Sequence, residues 1–222
     1  MVRTKLAVFD MAGTTVDDRI DGLPLVLKSY DDAFKNHGVE VPMMVLNANR
    51  GRDKWTVVKE LGGDKAEEIY RDFIGYLKDN TGKIREMDGA STTFSELKSE
   101  NVRVVVSTGF PVEVAEPLVN HIGWMRDGLV DSWTCSELVG ASRPDPVMIL
   151  DSMKKYQVSD PRAVIKIDDT VKGVEEGLNA NAYTIAVLTG TQNIQMLDAS
   201  GPDMILRSVK EVPGHLRKKE MI

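Results

Sequence analysis

The sequence predicts an α/β fold: a doubly wound, Rossmann-like parallel sheet with an inserted helical cap domain. Short runs that are apolar at nearly every position alternate with helix-length segments along the 222-residue chain. Such runs are typical of strands that are buried on both faces of a parallel sheet. One long stretch lacks these runs and carries helical patterns instead, which indicates a second, helical unit inserted into the sheet domain.

The elements of the sheet domain can be assigned in chain order. The predicted strands span residues 6–9, 102–106, 164–167 and 183–188, and the predicted helices span residues 112–121, 146–156 and 171–179. Each of these apolar runs stops at an aspartate, or at a serine or threonine next to glycine, as expected where a strand leaves the sheet.

Residues 18–85 form the predicted cap. This stretch carries helical segments over residues 23–37, 53–61 and 65–79 and no strand-like run. The α/β core is then built from residues 1–17 and 86–222. The chain passes between the two units near residues 16–22 and 82–88, and we expect the cap to open and close over the core by moving about these hinges.

Composition excludes several classes of function. The chain has a formal net charge of −6, one cysteine and three histidines. An acidic chain is not expected to bind nucleic acid or an anionic membrane surface. A single cysteine excludes an intrachain disulfide, and three scattered histidines disfavour a zinc site. No segment approaches the roughly 20 apolar residues of a membrane span. We therefore expect a cytoplasmic protein, with a homodimer as a possible assembly.

Polar side chains follow three of the predicted strands at the point where each strand ends. They are Asp10, the pair Ser107 and Thr108, and the pair Asp168 and Asp169. The carboxyl ends of parallel strands meet at one edge of a sheet, where α/β folds bind ligands. Carboxylates forced together repel unless a cation lies between them, and oxygen-only ligands suit Mg²⁺. The metal would hold a phosphate against Asp10, whose carboxylate can attack phosphorus to form an aspartyl phosphate. Taken alone, Asp10 could equally cap a helix.

Four ordered motifs resemble those of the haloacid dehalogenase superfamily. They are Asp10 before Gly13-Thr14-Thr15, Ser107-Thr108 after the second strand, Arg143-Pro144 before a helix, and Asp168-Asp169. The order and spacing match over essentially the whole chain, with a helical cap between the first and second motifs. The resemblance implies a Mg²⁺-dependent hydrolase that works through an aspartyl phosphate and acts on a small phosphorylated or phosphonate substrate.

The resemblance also assigns roles to individual residues. Asp10 is the nucleophile and a metal ligand, together with the backbone carbonyl of Ala12 and Asp169; Asp168 is a further candidate ligand. Arg143, Gly109 and one of the hydroxyls of Ser107 and Thr108 bind the phosphate group; which hydroxyl does so depends on a one-residue register. The superfamily commonly has a further acid at the position of Gly173, and Asp168 could supply that carboxylate instead. As alternatives, Arg143 could be an exposed loop residue, and Asp17 and Asp18 are expected to be solvated.

The closer resemblance is to the phosphonatase branch of the superfamily. It is carried by Asp10-Met11-Ala12-Gly13-Thr14-Thr15-Val16-Asp17, by Ser107-Thr108-Gly109-Phe110, and by the segments 165–171 and 176–180. Ala12 stands where phosphatases usually carry an acid that protonates an oxygen leaving group, and alanine cannot donate a proton. Cleavage of a carbon–phosphorus bond releases a carbanion instead, which a lysine imine can stabilise as an enamine.

The branch carries this lysine in the cap, three residues after a glycine, and Gly51 and Lys54 have that spacing. Lys54 could instead clamp a second anionic group of the substrate, or it could be a surface lysine. Two departures from the phosphonatase pattern weigh against the imine. Val57 stands where phosphonatases have a histidine, and their cap-proximal cysteine is missing, since no cysteine precedes Cys135. Three functions follow: cleavage of the carbon–phosphorus bond of phosphonoacetaldehyde, hydrolysis of a small phosphate ester with Lys54 as a clamp, or non-catalytic binding of a phosphate ligand or partner.

Overall fold

A computed structural model describes residues 2–222; Met1, the first residue of the predicted core, lies outside the described residues. The strands are β1 Leu6–Asp10, β2 Val16–Asp17, β3 Arg19–Ile20, β4 Leu23–Pro24, β5 Arg85–Glu86, β6 Arg103–Thr108, β7 Ser132–Cys135, β8 Val164–Asp168, β9 Tyr183–Val187 and β10 Met204–Leu206. The helices are α1 Leu25–Asn36, α2 Met43–Ala48, α3 Lys54–Gly62, α4 Ala66–Asn80, α5 Ala90–Ser99, α6 Val112–Ile122, α7 Ser136–Val139, α8 Val147–Lys155, α9 Val171–Asn179, α10 Ile194–Ala199 and α11 Val212–Lys218.

The central sheet has six parallel strands in the order β10-β9-β8-β1-β6-β7. The chain runs outward from β1 in both directions, so the strand order reverses there and the carboxyl ends of β6 and β8 flank that of β1. This confirms the α/β fold with a parallel, doubly wound sheet. Ligands bind such sheets outside the carboxyl ends of the strands, at the point where the order reverses.

Both faces of the sheet are covered, as the apolar runs predicted. In β1, Leu6 and Val8 pack into one hydrophobic cluster with α8, whereas Ala7 and Phe9 pack into a larger cluster on the opposite face. Successive side chains of a strand point to opposite faces, so a strand covered on both sides is expected to be apolar at nearly every position. Packing on both sides therefore holds the end of β1 rigidly, and with it Asp10.

The edge strands β7 and β10 were not predicted from the sequence. Ser132–Cys135 alternates Ser and Thr with larger side chains, and Met204–Leu206 has only three residues. An edge strand pairs on one side and packs less completely, so it does not need an unbroken apolar run. The prediction recovered the four inner strands of the sheet for the same reason.

The segment between β1 and α5 is mostly helical. Helices α1, α3 and α4 occupy the three segments predicted as helical, and α2 is an additional short helix. The expectation that residues 18–85 contain no strand is wrong in two places. Residues 19–24 form the hairpin of β3 and β4, and β2 pairs with β5 in an antiparallel ribbon. These strands have two residues each, too short to show a period.

The ribbon of β2 and β5 brings the two ends of the helical segment side by side, with Val16 opposite Glu86 and Asp17 opposite Arg85. Both crossings predicted as hinges therefore lie in one two-stranded element.

Within residues 2–222, none of the helices combines the length and the apolar character that crossing a bilayer requires.

Candidate active site

Three carboxylates meet at the carboxyl edge of the sheet. Asp10 ends β1, Asp168 ends the neighbouring β8, and Asp169 follows it. One oxygen of each lies within 4.8 Å of the others, and all three residues are buried. The sheet thus brings together the three aspartates that the sequence singled out.

Burial and mutual repulsion disturb the titration of this cluster. Burial raises the pKa of Asp10, with the charge of Asp168 adding to the effect. Burial, together with Asp10 and Asp168, raises the pKa of Asp169 to about 8 against the pull of Arg50. Burial acts in the same direction on Asp168, but the charges of Arg143 and Lys166 outweigh it and lower the pKa of that residue. The cluster therefore carries a cost of crowded negative charge that a cation would relieve.

The donor set fits a hard divalent cation. Two of the buried oxygens, Asp168 Oδ2 and Asp169 Oδ2, have no hydrogen-bond partner. The nearest partners of these two oxygens are cations: Asp168 Oδ2 lies 3.1 Å from Lys166 Nζ, and Asp169 Oδ2 lies 3.5 Å from Arg50 Nη1. Neither oxygen is saturated by hydrogen bonds, so both remain available to a cation. Oxygen donors alone, at this spacing, are the ligands that Mg²⁺ takes in proteins. Asp10, Asp168 and Asp169 are the residues that could hold it.

Gly173 leaves the space that the carboxylate of Asp168 fills. A Cβ atom built on Gly173 would lie 1.8 Å from Asp168 Cγ and 1.9 Å from its Oδ2. Asp168 Oδ1 is fixed by the backbone N–H of Thr170 at 3.0 Å and by its hydroxyl at 2.7 Å. The acid missing from position 173 is thus replaced in space by the side chain of Asp168.

Arg143 is not an exposed loop residue; its side chain is 1% exposed. Its Nη1 donates to Asp10 Oδ1 at 2.5 Å, its Nε donates to Glu176 Oε2 at 2.9 Å, and its Nη2 donates to Ser107 Oγ at 2.9 Å. Three bonds fix the plane of the guanidinium, so its charge is held directly against the candidate nucleophile.

The two hydroxyls of the second motif point to different partners. Ser107 Oγ accepts from Arg143 and, at 3.1 Å, from Lys166. Thr108 Oγ1 accepts from the N–H of Phe110 at 3.1 Å, and Thr108 lines the cavity beside Asp10. Among the described residues, Ser107 does not line that cavity. Of the two, Thr108 is therefore the one whose hydroxyl can reach a ligand.

Lys54 reaches the same cavity from the helical segment. It is the first residue of α3, whose N-terminus is capped by Asp53, and it is only 5% exposed, so the surface-lysine interpretation does not hold. Its Nζ donates to the carbonyl of Arg52 at 2.9 Å and lies 5.8 Å from the centre of the Phe110 ring. Burial, with the charges of Arg50 and Arg143, lowers the pKa of Lys54 to about 8.

Gly109 allows this close approach of the two segments. A Cβ atom at Gly109 would lie 2.8 Å from the carbonyl oxygen of Arg52 and 3.2 Å from Lys54 Nζ. Any side chain there would push the Lys54 loop away from the sheet edge. The cavity between them is only about 20 Å³, and it is lined from the helical side by Val26, Arg50, Gly51 and Lys54. That volume holds about one water molecule, so a substrate must open it.

Sequence reasoning left three buried charged residues without a role. Lys166 and Glu176 form an ion pair at 2.8 Å behind Arg143 and Ser107, and Arg50 donates to the carbonyl of Ala12 at 3.0 Å. The sequence carries a signal for Lys166. It is a charged residue inside the apolar run of β8, two residues before Asp168 and therefore on the same face of the strand. Glu176 lies on α9 beside Gly173 and Gly177, the small residues that face the sheet. Arg50 had no signal in the sequence.

Asp18 was also misjudged. It is 2% exposed rather than solvated, and burial raises its pKa. Its Oδ1 lies 4.0 Å from Arg50, and its Oδ2 has no hydrogen-bond partner. The adjacent Asp17 belongs to the ribbon of β2 and β5 and is only partly buried.

The parallel sheet, with carboxylates and cations clustered at its carboxyl edge, is what the sequence resemblance to haloacid dehalogenase-like hydrolases predicts. The comparison with protein families agrees. Residues 4–181 match the family model of haloacid dehalogenase-like hydrolases. Since the match covers well over half of the chain, the protein belongs to that family.

Individual relatives are phosphonatases. The chain is 28% identical over 207 residues to a phosphonoacetaldehyde hydrolase of Bordetella pertussis, with 84% of this chain and 73% of the relative covered. It is 23% identical over 257 residues to a phosphonoacetaldehyde hydrolase of Lactiplantibacillus plantarum, with 96% and 95% covered.

Among solved structures, the fold is similar to a phosphonoacetaldehyde hydrolase like protein from Oleispira antarctica, with a TM-score of 0.83, 20% identity, and 98% of this chain and 94% of that chain covered. It is also similar to a hydrolase from Pseudomonas syringae, with a TM-score of 0.82, 16% identity, and 97% and 99% covered. At these identities the structural likeness concerns the fold.

Replacing Asp169 separates metal binding from folding. We expect Asp169→Asn to abolish the rise in melting temperature caused by Mg²⁺, which at 100 times the Kd corresponds to about 2.7 kcal/mol in the wild type. Without metal, the folded-state pKa of about 8 lies above that of the unfolded chain, so the wild type loses stability as the pH rises from about 4 towards 8.

The variant without metal lacks this loss, so its free energy of unfolding should rise relative to that of the wild type over the same pH range. Differential scanning calorimetry at several pH values, with and without Mg²⁺, measures both effects. Asp151→Asn on the exposed face of α8 is the control and should change neither. A variant that still responds fully to Mg²⁺ would remove Asp169 from the metal site.

Proposed function

We propose that this protein is a Mg²⁺-dependent phosphonatase that cleaves the carbon–phosphorus bond of phosphonoacetaldehyde through an imine on Lys54. The observation that carries the proposal is the buried amine of Lys54, with its lowered pKa, on the wall of the cavity beside Asp10. Two further facts support it: Ala12 supplies no acid for an oxygen leaving group, and the curated relatives named above are phosphonoacetaldehyde hydrolases.

Lys54 performs the first part of the reaction. Its neutral amine attacks the aldehyde carbon. The aldehyde oxygen takes one proton from the amine and one from solvent and leaves as water, which gives a protonated imine. The imine nitrogen can then accept the electron pair that the carbon–phosphorus bond releases, giving an enamine. An amine must be neutral to attack, and burial next to two arginines favours the neutral form.

Asp10 performs the second part. One carboxylate oxygen attacks phosphorus, the carbon–phosphorus bond breaks, and an aspartyl phosphate forms. Arg143 offsets the negative charge that develops on the phosphoryl group, and Thr108 and Gly109 offer a hydroxyl and a backbone N–H to its oxygens. A bound Mg²⁺, held by Asp10, Asp169, Asp168 and the Ala12 carbonyl, would orient the phosphonate and offset its charge.

Hydrolysis then regenerates the free side chains of Lys54 and Asp10. The enamine carbon takes a proton from water, and hydrolysis of the imine releases acetaldehyde and the free amine of Lys54. A second water hydrolyses the aspartyl phosphate and releases inorganic phosphate. We propose that residues 18–85 act as the cap that admits substrate, with the ribbon of β2 and β5 as its hinge, because the cavity of about 20 Å³ must open in each cycle.

Borohydride trapping tests the proposal. The enzyme is incubated with Mg²⁺ and phosphonoacetaldehyde, reduced with borohydride, digested and analysed by mass spectrometry. We expect a stoichiometric adduct on the peptide that contains Lys54 and none in Lys54→Arg. Lys59→Arg, an exposed lysine on the same helix, is the matched control and should still form the adduct. No adduct on Lys54 would contradict the imine.

The pH dependence of turnover gives a second, independent test. With a pKa of about 8 for Lys54, the neutral fraction of the amine rises about tenfold between pH 7 and pH 9. We therefore expect kcat/KM for phosphonoacetaldehyde to rise with pH and to level off above about 8. An ammonium that only clamps substrate predicts the opposite slope, with a loss of activity above the same pH. Initial rates in constant ionic strength buffers measure the sign.

A phosphatase that acts on a small ester with a good leaving group is the second candidate. It is favoured by one observation: at pH 7 a lysine with a pKa of about 8 is still mostly an ammonium, which can hold a second anionic group. It is disfavoured by Ala12. The third candidate, a non-catalytic module, is favoured by Gly173 and Val57. The carboxylate of Asp168 fills the space at Gly173 and removes the first of these two grounds.

A further inference from the structure

Arg50 crosses from the helical segment to the carboxyl edge of the sheet. It lies in the loop between α2 and α3 and its side chain is 3% exposed. Its Nη2 donates to the backbone carbonyl of Ala12 at 3.0 Å, and its Nη1 lies 3.5 Å from Asp169 Oδ2. These two oxygens belong to the set assigned above to the metal, and Asp169 Oδ2 has no hydrogen-bond partner.

The other contacts of Arg50 fix its guanidinium in this place. Nη1 donates to Thr191 Oγ1 at 2.7 Å, and Nη2 lies 4.0 Å from the buried carboxylate of Asp18. A guanidinium keeps its proton in any protein environment, so it is a permanent positive charge among buried carboxylates. The charge is delivered by the helical segment, whereas Arg143 and Lys166 belong to the sheet domain.

We infer that Arg50 competes with Mg²⁺ for the Ala12 carbonyl and Asp169. The inference rests on the proposed function in so far as that function requires the metal. Two cations held at the same pair of oxygens repel each other strongly in a buried site. The metal and the guanidinium therefore cannot both keep their contacts, and binding of Mg²⁺ displaces Arg50.

Displacement of Arg50 loosens the contact between α2 and the sheet domain. Thr191, which accepts from Arg50, also donates to Asn47 Oδ1 at 2.5 Å, and Gln192 Nε2 donates to the Asn47 carbonyl at 3.0 Å. Arg50 and Gly51 line the cavity of about 20 Å³ beside Asp10. Displacement of Arg50 by the metal would therefore remove one of the contacts that hold this wall of the cavity, while the two bonds to Asn47 remain.

The Mg²⁺ affinity of an Arg50 variant tests this competition. Isothermal titration of the metal-free full chain with MgCl₂ alone should give a Kd at least about tenfold lower for Arg50→Gln than for the wild type, since loss of the competitor is worth at least one decade. Thr191→Val removes one acceptor of Arg50 and should lower the Kd in the same direction by a smaller factor. Arg52→Gln, which removes the neighbouring guanidinium bound to Glu60, is the control and should leave the Kd unchanged.

A Kd for Arg50→Gln that equals or exceeds that of the wild type overturns the inference and leaves the proposed function intact. Failure of every protein, the wild type included, to bind Mg²⁺ overturns both. If Arg50→Gln does not fold, the wild type decides by hydrogen exchange with and without MgCl₂. Faster exchange over residues 43–53 on metal binding supports displacement, with α6 as the unaffected reference, and equal or slower exchange overturns it.

Discussion

Asp10→Asn is expected to abolish turnover on phosphonate and phosphate substrates alike. An amide oxygen cannot form a stable acyl phosphate, and the side chain that ends β1 is the one that Arg143 holds in place at 2.5 Å. We expect kcat to fall by at least about 10³-fold, the scale on which loss of a covalent nucleophile acts. Steady-state release of inorganic phosphate measures the loss, and trapping of the phosphoenzyme in the wild type alone identifies the nucleophile.

Two controls make the Asp10 result specific. Asp198→Asn replaces an exposed aspartate of α10 and should retain full activity, which shows that the loss is specific to Asp10. Loss of activity in the identically purified Asp10→Asn excludes a contaminating phosphatase as the source of turnover. The far-ultraviolet spectrum and melting temperature of Asp10→Asn should match or exceed those of the wild type, because burial disfavours the charged carboxylate. Equal turnover by Asp10→Asn and the wild type would point to a non-catalytic protein.

Lys54→Ala is expected to separate the two catalytic candidates. With phosphonoacetaldehyde, loss of the imine should lower kcat by at least about 10³-fold, because without an electron sink the carbanion has no stabilised form. With a small phosphate ester, a lost clamp should raise KM and leave kcat nearly unchanged. The readout is the pair kcat and KM on both substrates, measured side by side with Lys59→Ala, whose exposed side chain lies on the same helix.

The pattern of the Lys54 result decides between the candidates. Loss of kcat on phosphonoacetaldehyde supports the phosphonatase. A rise in KM on the ester, with no turnover of phosphonoacetaldehyde by the wild type, supports the phosphatase instead. Lys54→Arg keeps the charge but cannot form an imine, so it should rescue a clamp and fail to rescue an imine.

The sequence predicted the elements whose burial on both faces requires mostly apolar residues. Strands β1, β6, β8 and β9 are covered on both faces and are therefore apolar at most positions, which is why their runs stand out. The predicted helices at residues 112–121, 146–156 and 171–179 differ from α6, α8 and α9 by at most one residue at each end. Of the two-residue strands, β2 and β5 form through pairing between distant segments, which no local pattern marks. Strands β3 and β4 form a local hairpin about Asp21-Gly22, a dipeptide typical of such turns.

The residues of the candidate site likewise fall into those that the sequence could place and those that it could not. Asp10, Arg143, Asp168 and Asp169 follow recognisable motifs, and the sheet topology explains why they meet. Arg50 and Lys54 come from the helical segment, where a charged residue is usually solvated, so spacing alone could not place them in a buried cavity. The direction of an individual hydroxyl, as for Ser107 and Thr108, depends on partners such as Lys166 that are distant in sequence.

The carboxylate of Asp168 and a side chain at position 173 exclude each other in space, since a Cβ atom at Gly173 would overlap the aspartate. Moving the acid one turn into α9 by a single replacement is thus strongly disfavoured, because a chain with both acids overfills the site and a chain with neither lacks a ligand. Gly173→Asp should be tolerated only together with Asp168→Gly. An alignment of relatives should accordingly show the two positions changing together, with an acid at one accompanied by a small residue at the other.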